Sequence, residues 1–208
     1  MRRRYIAIAI VGVAVTIALP LTFPSGGGAN TFDSWVADRI ASILGNHHTT
    51  LSVLAEPSTP LVVVPALIVA AIYAATRLRR VDVIAVIAGP LLAVALNSLV
   101  FKPLFDRHLD GYLAYPSGHT VSLVAAETAI ALLMRSAIHE AVVAAVGTVL
   151  LICAAIGMIG LGYHHVTDII GGTGVGIAVP VIVSVLLDAS KSAAERREPQ
   201  RLRPQRLR

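Results

Sequence analysis

Six apolar runs, at residues 5–22, 60–76, 81–100, 120–138, 141–162 and 168–187, constrain this chain more than any other feature. Each approaches or reaches the roughly 17 to 25 residues that an α-helix needs to cross about 30 Å of hydrocarbon. Backbone groups in lipid have no water to bond, so an uninterrupted apolar run takes the one local form that satisfies them internally. The chain is therefore expected to be all-α, an integral membrane bundle of six helices. Composition agrees, because 56% of the 208 residues are hydrophobic and only 14% charged, with a mean hydropathy of +0.77. That leaves too little polar surface to cover a water-soluble globule.

The basic residues orient the bundle. Arg2, Arg3 and Arg4 precede the first span, Arg77, Arg79 and Arg80 follow the second, Arg135 closes the fourth, and the tail carries Lys191, Arg196, Arg197, Arg201, Arg203, Arg206 and Arg208. Only Arg39, Lys102 and Arg107 fall on the other side. Short cytoplasmic loops carry the Lys and Arg excess, so both termini are expected in the cytoplasm of a multi-pass cell-membrane protein. The net charge of +5 is then topological, and no nucleic-acid partner is implied.

Residues 1–190 read as one membrane domain and 191–208 as a basic cytoplasmic tail, disordered and drawn to anionic lipid. The first span is basic and then apolar like a secretory signal, but its run is longer than a signal core, so it reads as an uncleaved anchor. Between the first two spans, residues 31–45 place Phe32, Trp35, Val36, Ile40 and Ile43 at helical spacing opposite Asp33, Asp38 and Arg39. An amphipathic helix lying on the outer surface is expected there, with Trp35 at headgroup level. His47 and His48 follow without cysteine or carboxylate at metal-ligand spacing. The single cysteine, Cys153, excludes an intrachain disulfide. Gly172-x-x-x-Gly176 fits close helix packing. Glu127, an ionisable group inside a span, calls for a buried partner such as Asn97, or for a transport role.

Chemistry concentrates in three outward segments: Lys102 to Arg107, Pro116-Ser117-Gly118-His119, and His164 to Asp168. Ser117 and Gly118 open a helix, where free N–H groups and the dipole favour an anion, and His119 lies on its first turn. His164 and Asp168 are four apart, on one side of a helical turn, so the carboxylate can orient the imidazole. His165 and Asp168 are three apart, and spacing alone separates the two histidines only slightly. Each piece has a structural alternative, since Lys102 and Arg107 can anchor at an interface, His119 can cap a helix and His164 can form a structural pair. Together they hold the cations, anion nest, nucleophile and proton donor of phosphoryl transfer.

In order and spacing these segments resemble the three motifs of the type 2 phosphatidic acid phosphatase, or PAP2, superfamily. The resemblance covers roughly residues 60–188 and includes Gly171-Gly172. It implies that His164 attacks phosphorus to form a phosphohistidine, Asp168 orients it, and His119 protonates the leaving oxygen. Lys102, Ser117 and Gly118 would bind phosphate oxygens. The family's first motif has an arginine seven residues after its lysine, where this chain has Leu109, so Arg107 is assigned that role. Its third motif has an arginine six residues before the nucleophile, where this chain has Met158. The implied activity is a metal-independent, cofactor-free phosphatase at the outer leaflet, cleaving a lipid phosphomonoester or diphosphate such as phosphatidic acid, phosphatidylglycerol phosphate or a polyprenyl diphosphate. A lipid-linked phosphotransferase of the same fold, and a non-catalytic lipid-phosphate-binding protein or transporter, are the alternatives.

Overall fold

A computed structural model describes residues 2–201, with side chains described for 4–191. The helices are α1 (Arg2–Ala18), α2 (Thr31–Leu44), α3 (His48–Ala55), α4 (Pro60–Arg77), α5 (Arg80–Leu96), α6 (Lys102–Phe105), α7 (Gly118–Leu133), α8 (Ala137–Gly160) and α9 (Val166–Arg201). A π-helical turn, Asn97–Phe101, joins α5 to α6 as one rod. Among the described residues, the rod, α4, α8, α9 and α1 give five helices long and apolar enough to cross a membrane, with α4 continuing back through α3. The expected fourth span is shorter than read, because α7 has 16 residues and stops at the Met134-Arg135-Ser136 break.

Small residues make the contacts that hold α9 in the middle. A Cβ on Gly12 would lie 2.7 Å from the Gly174 carbonyl oxygen, and one on Gly174 would lie 2.4 Å from that of Gly12, so α1 and α9 touch backbone to backbone. The Thr16 hydroxyl donates to the Gly171 carbonyl at 3.0 Å across the same contact. Gly172 and Gly176 face α7, where a Cβ would meet the Ser117 carbonyl at 2.8 Å and Val124 at 2.8 Å. Dispersion and close approach drive such packing in lipid, where burial of apolar surface no longer distinguishes helix from solvent.

At one end of the bundle, Arg79 and Arg135 both pair with Asp82, Arg79 also approaches Asp188, and Arg4 pairs with Glu140. This end gathers the loop and terminal arginines. The opposite end carries α2, α3 and the segment 106–117.

Two elements there differ from expectation. The surface segment contains a second helix, α3, whose Leu51 and Ala55 pack on α8 because Gly157 and Gly160 offer no side chain to hold them off. Helix α2 begins with Asn30 and Asp33 in a reciprocal capping box, and its apolar edge, Val36 and Ile40, joins the core formed by Met158 and Ile159. Trp35 is 60% exposed and stacks on Phe32. Asp33, expected on the outward polar face, is buried.

The expected Glu127 and Asn97 pairing is not made. Glu127 packs on Gly147 of α8, whereas the Asn97 amide donates to the Pro116 carbonyl at 3.3 Å. Helix α9 continues to Arg201, into the segment from 191 onward that was expected to be disordered; residues 202–208 of that tail lie outside the described residues.

Candidate active site

The rod of α5, the π turn and α6 brings Lys102 to the site end, and Asp106 (φ 47°) terminates it in the left-handed region. A hairpin follows, β1 (His108–Leu109) paired antiparallel with β2 (Tyr112–Leu113). Its two-residue turn, Asp110-Gly111, has positive φ at both positions, the geometry that matches strand twist. The hairpin is small but supplies three contacts. The Leu113 carbonyl accepts from the Lys102 ammonium, the Ala114 N–H donates to the Arg107 carbonyl at 2.8 Å, and Tyr112 sets its ring edge-on to His164 at 6.3 Å.

Tyr115 and Pro116, joined by a cis peptide, lead into α7. Burial pushes the Tyr115 phenol well above its usual pKa, so it remains a donor, and its hydroxyl bonds the Thr16 carbonyl of α1. Ser117 caps α7, its oxygen accepting from the Thr120 N–H at 3.3 Å and the Thr120 hydroxyl at 3.1 Å. The Ser117 N–H donates to the Asp168 carbonyl at 3.0 Å, and the residue is fully buried. Ser117 thus ties α7 to α9 instead of presenting its N–H to a phosphate, as had been expected. Gly118 and His119 are the residues that face the cavity. Their N–H groups are the first two of α7, which have no partner within the helix.

His164 precedes α9 and lines the cavity, with its ring centroid 6.2 Å from that of His119. Its Nδ1 lies 3.6 Å from Asp168 Oδ2. Asp168 is fully buried, with Oδ2 accepting the His165 N–H at 2.9 Å and Oδ1 accepting Arg107 Nη1 at 2.7 Å. His165 contributes its backbone to this arrangement, and burial pulls its imidazole below the ordinary histidine pKa, Asp168 opposing the shift.

Arg107 is placed differently from its expected role. Its Nε donates to Gly27 O (2.9 Å), Nη1 to Thr167 Oγ1 (2.6 Å) and Asp168 Oδ1 (2.7 Å), and Nη2 to Gly28 O (2.8 Å) and Asp33 Oδ2 (3.0 Å). A guanidinium has five N–H groups, so every donor already ends on a protein oxygen. The Phe23 ring closes one face, 3.9 Å from the guanidinium carbon. This buried cation holds the carboxylate beneath His164 and offers no donor to a phosphate. Met158, standing where the family's third-motif arginine would be, is 1% exposed within the apolar core.

Asp33 and Thr167 belong to this neighbourhood, and neither was singled out for the site from sequence. Burial alone would raise the Asp33 carboxyl, but the Thr167 N–H, the Arg107 guanidinium, the Thr167 hydroxyl and the Asn30 N–H together hold it below the usual range. A carboxylate so depressed contributes stability that is complete above its unfolded pKa and is lost only as pH falls through the lower folded value.

A cavity of about 780 Å³ joins this end to the lipid-facing surface. Lys102, Tyr112, Gly118, His119 and His164 line its polar part, and Val63, Val64, Leu67, Leu91 and Val94 of α4 and α5 line the rest. Lys102 is the only lysine or arginine in that lining. With one N–H on Leu113, its ammonium keeps two for a ligand.

The family model of the PAP2 superfamily matches residues 14–191, and the chain belongs to that superfamily. Among solved structures it is similar to a transmembrane PAP2-type phosphatidylglycerolphosphate phosphatase from Bacillus subtilis, with 15% sequence identity and a TM-score of 0.61 over 89% of this chain and 96% of that one. No curated protein matches the chain.

Proposed function

We propose that this protein hydrolyses a lipid phosphomonoester or diphosphate at the extracytoplasmic leaflet of the cell membrane, without a metal, through a phosphohistidine on His164. The observation that carries this reading is the shape of the cavity. It sets two imidazoles and an ammonium at one end and an apolar trough between α4 and α5 at the other. Leu91 and Val64 are 64% and 50% exposed on the bundle's flank, so the trough opens toward lipid. An acyl or prenyl chain fits the trough while its phosphate meets Lys102 and the N–H groups of Gly118 and His119.

His164 Nε2 attacks phosphorus, the bond from phosphorus to the lipid oxygen breaks, and His119 gives that oxygen its proton. Water then attacks the phosphohistidine, His119 takes a proton from that water, and the P–N bond breaks to release inorganic phosphate and neutral His164. Charge developing on the phosphoryl oxygens is met by the ammonium and the backbone donors, a preorganised electrostatic arrangement. Asp168 stabilises the imidazole as it becomes positive. His164 must start neutral and His119 protonated, so the rate should follow a bell-shaped pH profile.

The test is phosphate release from phosphatidic acid, phosphatidylglycerol phosphate and farnesyl diphosphate in detergent, with and without EDTA. Release of phosphate from at least one, undiminished by EDTA, is expected. No release from any of them, or activity lost on chelation and restored by magnesium, would overturn the reading.

The orientation has its own test. The arginine-rich end is proposed to be cytoplasmic and the hairpin end external, which the clustering of Arg4, Arg79 and Arg135 at one end supports. In a Cys153→Ser background, Leu78→Cys and Asp110→Cys should react with an impermeant maleimide from opposite sides of intact cells and inverted vesicles. Reaction of both from one side would defeat it.

A further inference from the structure

We infer that Asp33, on the extramembrane helix α2 and 131 positions before the nucleophile in the chain, is a positioning residue that acts on His164 through Arg107, Thr167 and Asp168. The inference rests on the assignment of His164 as nucleophile.

The linkage is continuous and buried. Asp33 Oδ1 accepts the Thr167 N–H at 2.9 Å, and Oδ2 accepts Arg107 Nη2 at 3.0 Å and the Asn30 N–H at 3.2 Å. The Thr167 hydroxyl lies within 3.0 Å of both oxygens and also receives Arg107 Nη1. Thr167 is the second residue of α9, where an N–H has no partner inside the helix, so Asp33 caps from outside the helix that starts just after His164. Asp168 caps the same turn from within, through the His165 N–H. Two carboxylates thus fix one helical turn, and Arg107 is clamped between them.

This clamp decides where Asp168 points. His164 Nδ1 is buried and makes no hydrogen bond, with Asp168 Oδ2 standing 3.6 Å away. A small rotation of the Asp168 carboxylate would make or lose that contact, and its rotation is set by the Arg107 bond on Oδ1. Arg107 in turn holds its place against Asp33 and the carbonyls of Gly27 and Gly28.

Charge points the same way. Asp33 and Asp168 against Arg107 leave one uncompensated negative charge below His164. Without Asp33, Arg107 neutralises Asp168 completely, and the positive imidazole of the phosphohistidine loses support in a low-dielectric setting. The other titratable groups near His164 are His119 from α7, Tyr112 from the hairpin, Lys102 from α6 and the adjacent His165, and none of them can replace that negative charge while His119 and Lys102 act as cations.

The experiment measures phosphate release from dioleoyl phosphatidic acid in dodecyl maltoside micelles as a function of pH, for the wild type, Asp33→Asn, Asp33→Glu, Thr167→Val and the exposed control Asp38→Asn. Folding is checked by size exclusion and a thermal melt. Asp33→Asn keeps the side chain's shape and removes its charge. It should lower kcat about 10- to 100-fold, the scale on which misplacement by a fraction of an ångström acts, with KM within about threefold. Removing a negative charge makes the His164 imidazolium less favourable, so the acidic limb of the profile should move to lower pH. Asp33→Glu should recover part of the rate and return the limb toward the wild type, and Asp38→Asn should behave as the wild type. Folded Asp33→Asn with wild-type kcat, or with an unmoved acidic limb, would overturn the inference. So would loss of rate in Asp33→Asn that only tracks the fraction of folded protein. An active wild type whose His164→Ala form is inactive, alongside such a result, would locate the failure in Asp33 alone. A wild type that releases no phosphate from this lipid, from phosphatidylglycerol phosphate or from farnesyl diphosphate would remove the phosphatase reading itself.

Discussion

His164→Ala is expected to reduce phosphate release below about one part in 10³ of the wild type and to abolish phosphoenzyme labelling, because the step that forms the P–N bond loses its atom. A radiolabelled substrate quenched in alkali should leave an acid-labile, base-stable label on the wild type and none on the variant. The fold should survive, since the His164 side chain makes no hydrogen bond through Nδ1 and borders open cavity. His165→Ala is the informative companion. It retains the backbone N–H that Asp168 accepts, so substantial activity and labelling should remain. Labelled His164→Ala together with inactive His165→Ala would transfer the nucleophile to His165.

The second large effect is expected at Lys102. In the PAP2 pattern an arginine stands at each of two places where this chain has Leu109 and Met158, and Arg107 is committed to five protein oxygens. Lys102 is therefore the one lysine or arginine in the cavity lining to meet the phosphate of the proposed reaction. A hydrogen bond to a charged group contributes about 1.5 to 3 kcal/mol, and more where water is excluded. Lys102→Ala should accordingly lower kcat/KM by about 10²- to 10³-fold, and Lys102→Arg should restore part of it. A loss below tenfold in Lys102→Ala, measured with phosphatidic acid in detergent, would show that the phosphate is neutralised elsewhere.

The spans were legible because apolar length is a local property, read without knowing what a helix packs against. Helix α3 was not, because its packing depends on Gly157 and Gly160, more than a hundred positions later. Asp33 shows the same limit in sharper form. Helical spacing places it correctly opposite the apolar face of α2, but spacing reports the polarity of a face and says nothing of Arg107 and Thr167 lying across from it. The segment Asp110-Gly111 did carry a signal, since that dipeptide is a favoured two-residue turn, and it announces the hairpin that positions Tyr112 and supports Lys102. Ser117 stands where a helix begins, as its place before Gly118 suggested, but its N–H goes to the Asp168 carbonyl, which only the tertiary fold brings near.

The brevity of α7 has a consequence for how a lipid reaches the histidines. Sixteen residues rise about 24 Å, whereas the 24 residues of α8 rise about 36 Å. The two ends of α7 do not share the shortfall. Arg135, just beyond its last turn, meets Asp82 in the first turn of α5, so α5 and α7 are level there. At the other end Gly118 stands beside Asn97 and Lys102, below the point where the rod stops at Phe105. Helix α7 thus begins beside the last turns of the rod, and the non-helical chain that leads into it, buried at residues 114–117, is tolerated because it packs against protein. Under the proposed function, a lipid phosphate approaching along the trough would keep its tails in hydrocarbon while its phosphate reaches the first turn of α7. Hydrophobic mismatch, usually a strain between a protein and its bilayer, would in the proposed reaction set its floor at the depth of the substrate's phosphate.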